Sequence, residues 1–164
     1  MRAGQTMRTS DAGSTVRKVT EVRAPQAVAW RVFTEEMGTW WPLATHKIGK
    51  AKAVDAVIEP RVGGRWYERG DDGSTCDWGR VLSWEPHSRL VLSWDISSDW
   101  ERDPTLKTEV EVRFIAEGDD RTRVELEHRH LERFGTEGEK MRGIFDGDGG
   151  WGSLLASFTR AAEA

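Results

Sequence analysis

Between Ala53 and His130 the chain is a succession of short segments in which apolar and polar residues alternate, separated by clusters of turn-forming residues. A period of two sends successive side chains to opposite faces of a strand, so each segment offers one face to a core and the other to water. Thr108, Val110, Val112 and Phe114 share one face, and Lys107, Glu109, Glu111 and Arg113 share the other. Leu90, Leu92, Trp94 and Ile96 alternate with Val91, Ser93, Asp95 and Ser97; Val124, Leu126, His128 and His130 alternate with Arg123, Glu125, Glu127 and Arg129. Further strands are read at Ala53–Glu59, Gly64–Arg69 and Thr75–Trp84. Asp71-Asp72-Gly73, Glu85-Pro86-His87-Ser88 and Glu117–Asp120 supply turns, and connections this short join antiparallel strands. In the Thr75–Trp84 strand either Trp78, Arg80, Leu82 and Trp84 face inward, or Gly79, Val81 and Ser83 do.

The flanks complete the layers. Val16–Arg23 reads as a first strand. Pro25 then suits the first turn of a helix, where its missing N–H costs nothing, and the helix runs to about Met37 and stops at Gly38. Trp40-Trp41-Pro42 follows as a short aromatic connection. At the other end, Thr136 and Glu139 have capping-box spacing, which starts a helix at Glu137. Its later part carries a stripe of Trp151, Leu154, Leu155, Phe158 and Ala162. Gly147-Asp148-Gly149-Gly150 is poor helix material and predicts a kink or a break. The one long amphipathic helix must cover the apolar face of the sheet. The fold class is therefore α+β: a curved antiparallel sheet of about seven strands gripping a C-terminal helix, with two short helices after the first strand. One domain over 15–164 is expected, preceded by a small polar tail over 1–14.

Composition narrows the function. Lys and Arg number 24 against 28 Asp and Glu, with signs interspersed, so the basic face of a nucleic-acid binder is missing. No run approaches the ~18 apolar residues of a membrane span, and the N-terminus has no apolar signal region. A lone cysteine, Cys76, excludes an internal disulfide framework and a multi-cysteine zinc site, and is compatible with a reducing, cytoplasmic setting. Nine tryptophans beside one tyrosine and five phenylalanines point to a very bulky core or to a wide cavity with aromatic walls.

Trp66, Trp94 and Trp151 stand at positions that alternation or helical periodicity turns inward. Glu68 shares the parity of Trp66, so it either ends in water at the hairpin or enters the apolar interior, where it needs a partner; His128 and Arg80 are the candidates. His128 and His130 face one side of their strand, and either His128 is a hydrogen-bonded core residue with His130 solvated at the strand end, or His128 donates to a ligand or moves protons. Glu68 and His128 are thus the weak catalytic candidates. No third ligand joins the two histidines for a metal. The glycine-rich run at Gly147 to Gly152 lacks a preceding strand and a phosphate-loop lysine, Asp146 and Asp148 lack calcium-loop spacing, and no serine sits in a nucleophile elbow.

The strings APQAVAWRVFT, GGRWYERGDDG, WGRVLSWEPHSRLVLSW, TEVEVRF, TRVELEHRHLE and GGWGSLL, in this order from about Val16 to Phe158, resemble the START-like superfamily of polyketide cyclases and lipid-transport proteins, which includes the birch-pollen-allergen-like helix-grip fold. Within it the chain is similar to the bacterial branch related to the C-terminal domain of the heat-shock protein 90 ATPase activator. The resemblance implies a hydrophobic cavity between sheet and helix, with Trp40 and Trp41 at its lid. The ligand-binding set expected is then Trp40, Trp41, Trp66, Glu68, Trp78, Trp94, Val112, His128, Trp151 and Leu155. It further implies a small hydrophobic or aromatic ligand, no cofactor or metal, and a monomer or weak dimer. A cyclase- or aromatase-type activity, or contact with a chaperone in a stress response, are the alternatives.

Overall fold

The structure is a computed structural model and describes residues 14–164; the expected tail, apart from Ser14, lies outside the described residues. Seven strands form one antiparallel sheet: β1 (Val16–Val22), β2 (Ala53–Ile58), β3 (Arg65–Gly70), β4 (Thr75–Glu85), β5 (Arg89–Trp94), β6 (Thr108–Ala116) and β7 (Thr122–Arg129), in the spatial order β1-β7-β6-β5-β4-β3-β2. Helices α1 (Gln26–Glu35) and α2 (Met37–Trp40) follow β1, and a 3₁₀ segment (Leu131–Glu137), α3 (Gly138–Asp146) and α4 (Trp151–Glu163) follow β7. This is the helix-grip architecture that the alternation requires. Among the described residues no helix is long and apolar enough to cross a membrane.

Local departures from the sequence reading have physical causes. The first helix ends at Glu35, and Gly38 lies inside the short α2 rather than stopping α1. Helix α3 starts at Gly138 without a side-chain cap, so the Thr136–Glu139 capping box does not form; Gly135, at φ 66°, turns the chain immediately before it. The Gly147–Gly150 run is a full break. A Cβ on Gly150 would lie 2.0 Å from the Phe145 carbonyl oxygen, so only glycine lets α4 start this close beneath the end of α3.

Strand β4 follows neither parity. Its register with β3 shifts so that Trp78 has no partner between Gly79 and Asp77, and its register with β5 shifts so that Leu82 has none between Val81 and Ser83. Each bulge resets the alternation and bends the strand. Trp78 and Val81 are buried, Trp84 packs edge-on against Trp30 at 5.0 Å, and Leu82 is exposed. The bends curl the sheet around its contents.

The groove of this curled sheet is unequally filled. Under α1, aromatic rings close-pack: Trp30 and Phe33 lie 5.3 and 5.7 Å from Phe114, and Phe33 and Trp40 lie 5.3 and 5.4 Å from Phe158. The other half, beneath Trp41 and Trp151, is hollow.

Candidate functional site

The hollow half is a cavity of about 480 Å³, within the range of roughly 300–1,000 Å³ usual for small-molecule sites. Trp41 follows α2, Trp78 occupies the β4 bulge, Trp94 ends β5 and Trp151 begins α4; all four line the cavity. With Trp66 of β3 they form a closed ring of indoles. Centroids are 5.0 Å apart for Trp41–Trp78, 5.5 Å for Trp78–Trp66, 5.8 Å for Trp66–Trp94, and 5.9 Å for both Trp94–Trp151 and Trp151–Trp41. Most contacts are edge-to-face, the arrangement the ring quadrupole favours.

Every N–H of this ring is held by the protein. Trp41 Nε1 donates to the His46 carbonyl at 2.8 Å, Trp78 Nε1 to Glu68 at 2.9 Å, Trp94 Nε1 to the Ile96 carbonyl at 3.2 Å, and Trp151 Nε1 to His128 Nδ1 at 3.0 Å. Trp66 Nε1 points to the Met37 sulfur. The cavity therefore meets the carbon surfaces of the four lining indoles.

His128 is fully buried, and its tautomer follows from its partners. An indole nitrogen only donates, so His128 Nδ1 is the acceptor and Nε2 carries the hydrogen. Nε2–H then donates to Thr108 Oγ1 at 2.9 Å, and Thr108 Oγ1–H to the Trp94 carbonyl at 3.0 Å. Burial pushes the His128 pKa down to about 3. With both nitrogens occupied and the ring held neutral, His128 fixes Trp151 over Trp94 and has no lone pair left for a substrate. His130 does not share its face: β7 ends at Arg129, His130 adopts φ 65°, and its half-exposed ring lies near Glu109 and Glu132.

Glu68 does enter the interior, at 2% exposure, but neither expected partner meets it. Its carboxylate accepts from the backbone N–H of Ile48 at 2.6 Å and of Gly49 at 3.0 Å, and from Trp78. Arg80 instead pairs with Asp77. Glu68 thus ties the loop between α2 and β2 to the wall of the cavity. Burial first, and then the Glu68 charge, push the neighbouring Cys76 thiol up, which makes it a weak nucleophile.

Of the expected binding residues, Trp41, Trp78, Trp94 and Trp151 line the cavity, Trp66, Glu68 and His128 stand directly behind them, and Trp40, Val112 and Leu155 are buried in the core without lining it. The rim comes from segments without periodicity. His46 Nε2 meets the Gly149 carbonyl at 2.8 Å, and Nδ1 lies 2.8 Å from Thr45 Oγ1, so this histidine clasps the α2–β2 loop to the helix break. Thr45, Lys47, Ile48, Trp100, Ile144 and Leu154 are among the remaining lining residues. Among the described residues no group of three or more His, Cys, Asp or Glu side chains is placed to hold a metal.

Comparison with known proteins agrees with this architecture. The family described as "Activator of Hsp90 ATPase homolog 1-like protein" matches residues 23–163. The chain is 37% identical to Txn09, an anthrahydroquino-γ-pyrone synthase, covering 90% of this chain and 96% of that one at a TM-score of 0.64. It is 32% identical to CalC, a self-sacrificing resistance protein from Micromonospora echinospora, covering 92% and 94% at a TM-score of 0.67. Protein NE0264 from Nitrosomonas europaea, 17% identical over 93% and 96% at a TM-score of 0.64, shares the fold. No curated protein matches the chain. On the strength of a match running from Arg23 almost to the C-terminus, the chain belongs to the Activator of Hsp90 ATPase homolog 1-like family of the START-like superfamily.

Proposed function

We propose that the protein binds a flat, fused-ring aromatic molecule in the cavity bordered by Trp41, Trp78, Trp94 and Trp151, beside the packed indole cluster. The observation that carries this reading is that all four lining indoles spend their N–H groups on protein acceptors, so what the cavity meets of them is apolar ring carbon rather than a donor. Such walls select shape and π-surface over hydrogen-bonding pattern. The likeness to Txn09, a synthase of an anthrahydroquinone-type product, supports the ligand class.

The test uses 1,8-dihydroxyanthraquinone as probe. Because a ligand held by the native state alone stabilises it, saturation at a hundred times Kd adds about 2.7 kcal/mol, with a matching rise in melting temperature and quenching of tryptophan emission. Ile144 is exposed on the rim, so Ile144→Trp retains the fold, fills part of the mouth with a bulkier side chain and weakens binding by at least about ten-fold, about 1.4 kcal/mol. If neither this probe nor a panel of polycyclic aromatics shifts the melting temperature, the reading fails.

A second reading, a ring-closing enzyme, rests on the same 37% identity to a synthase. Glu68 and His128 are buried and committed to internal hydrogen bonds. His46 is also held at both ring nitrogens, by Thr45 Oγ1 and the Gly149 carbonyl, but it lines the rim, so in that case proton transfer falls to His46 once it releases Thr45. Chromatography with mass spectrometry would then detect a ring-closed product, isomeric with the substrate or lighter by one water where dehydration follows, that His46→Gln no longer forms.

A further inference from the structure

The fifth indole touching the cavity differs from the other four in every respect. Trp100 is 43% exposed, whereas Trp41, Trp78, Trp94 and Trp151 are 6% exposed or less. Among the described residues it makes no contact with another aromatic ring, and its Nε1 has no acceptor. It stands, with Ile48, where the cavity meets an outer groove lined by Arg65, Thr75, Asp77 and Arg102.

Its backbone is also costly. Residues Ser97–Glu101 form a tight hairpin tip: Trp100 N–H donates to the Ser97 carbonyl at 2.9 Å, Ser97 N–H to the Glu101 carbonyl at 2.8 Å, and Ile96 bridges Arg102 beyond it. In this kind of tip a turn is followed by one residue in the left-handed region, a place that glycine fills without strain. Trp100 occupies it at φ 62°. Among the described residues the other non-glycine positions with positive φ are His87, Lys107 and His130, all polar, and Trp100 is the one that puts a bulky apolar side chain there. Strain of this kind persists where the surroundings or a function keeps it, and packing does not keep this one, since the indole is half in water.

We propose that Trp100 is a flap. In the bound state its indole meets the ligand's outer edge and closes the mouth, and its free Nε1–H, which points along the ring plane, donates to an oxygen on that edge. The ligand class is thereby narrowed to fused-ring aromatics that carry a carbonyl or hydroxyl oxygen at one edge. This inference rests on the cavity reading above.

The experiment compares wild type, Trp100→Gly and Trp100→Phe, measuring melting temperature without ligand and the dissociation rate of 1,8-dihydroxyanthraquinone by stopped flow. Trp100→Gly relieves the turn, so its melting temperature equals or exceeds that of wild type while the probe leaves at least about ten-fold faster, the effect of one lost aromatic contact. Trp100→Phe keeps a ring without the N–H and falls between the two. A Trp100→Gly protein that holds the probe as long as wild type does, while Ile144→Trp still blocks it, overturns the flap and leaves the cavity reading standing. A melting temperature several degrees lower in Trp100→Gly also overturns it, because the indole would then be a packing element. If wild type does not bind the probe or any other edge-oxygenated polycycle, the cavity reading falls and the flap falls with it.

Discussion

Acidification from pH 7 to pH 4 is expected to remove about 3 kcal/mol of stability, most of it through His128. The native state keeps this imidazole neutral down to about pH 3, whereas the unfolded chain takes up the proton near pH 6.5. The unfolded state therefore binds more protons throughout that interval, and stability falls with decreasing pH by up to about 1.4 kcal/mol per unit. Glu111 acts with the same sign at lower pH. Burial alone would raise its pKa, but the guanidiniums of Arg89, Arg129 and Arg113, at 2.6, 2.5 and 2.9 Å, override this and hold it at about 2. Its contribution is present above about pH 4.5 and is lost between there and about pH 2. Urea unfolding followed by tryptophan emission at pH 7, 6, 5 and 4 measures the slope. In His128→Gln, whose amide oxygen and N–H can take the places of Nδ1 and Nε2–H, the slope between pH 6.5 and 5 disappears. A wild-type protein equally stable at pH 6.5 and pH 5 would refute the assigned burial of a neutral ring.

Glu68→Ala should cost about 3 kcal/mol, because it strands three N–H donors at once: those of Ile48, Gly49 and the Trp78 indole. The damage has a local signature. The loop between α2 and β2 loses its tie to β3, so hydrogen exchange at the Ile48 and Gly49 amides accelerates well beyond the global change. Glu68→Gln gives an intermediate loss, since its amide oxygen still accepts while its NH₂ group points at a donor. A cost below about 1 kcal/mol, or unchanged exchange at these two amides, would show that the carboxylate is not what holds the loop.

What could be read beforehand follows from what periodicity encodes. Alternation tells which side of a strand faces inward, and on that basis β5, β6, β7 and the indoles at Trp66 and Trp94 were legible, as was Trp151 from the period of its helix. It does not tell how far along the groove a residue sits. Val112 and Leu155 point inward as read, yet they belong to the packed half of the groove, not to the cavity wall. Two bulges defeated the parity of β4, because an unpaired residue inverts every alternation after it. Parity left Glu68 either in water at the hairpin end or in the interior; it lies in the interior, and its partners are backbone N–H groups of a loop, which no side-chain pattern announces. His46 and Trp100 lie in aperiodic connections, and only the folded chain brings them to the rim.

Five indoles joined at 5.0 to 5.9 Å, four of the five contacts edge to face, have an optical consequence. Their transition dipoles are close enough to couple, so near-ultraviolet circular dichroism arises from the array as a whole and excitation migrates among its members before emission. A chromophore entering the adjoining cavity intercepts that energy from the array. Occupancy can thus be followed in the unlabelled protein by its own absorption and emission.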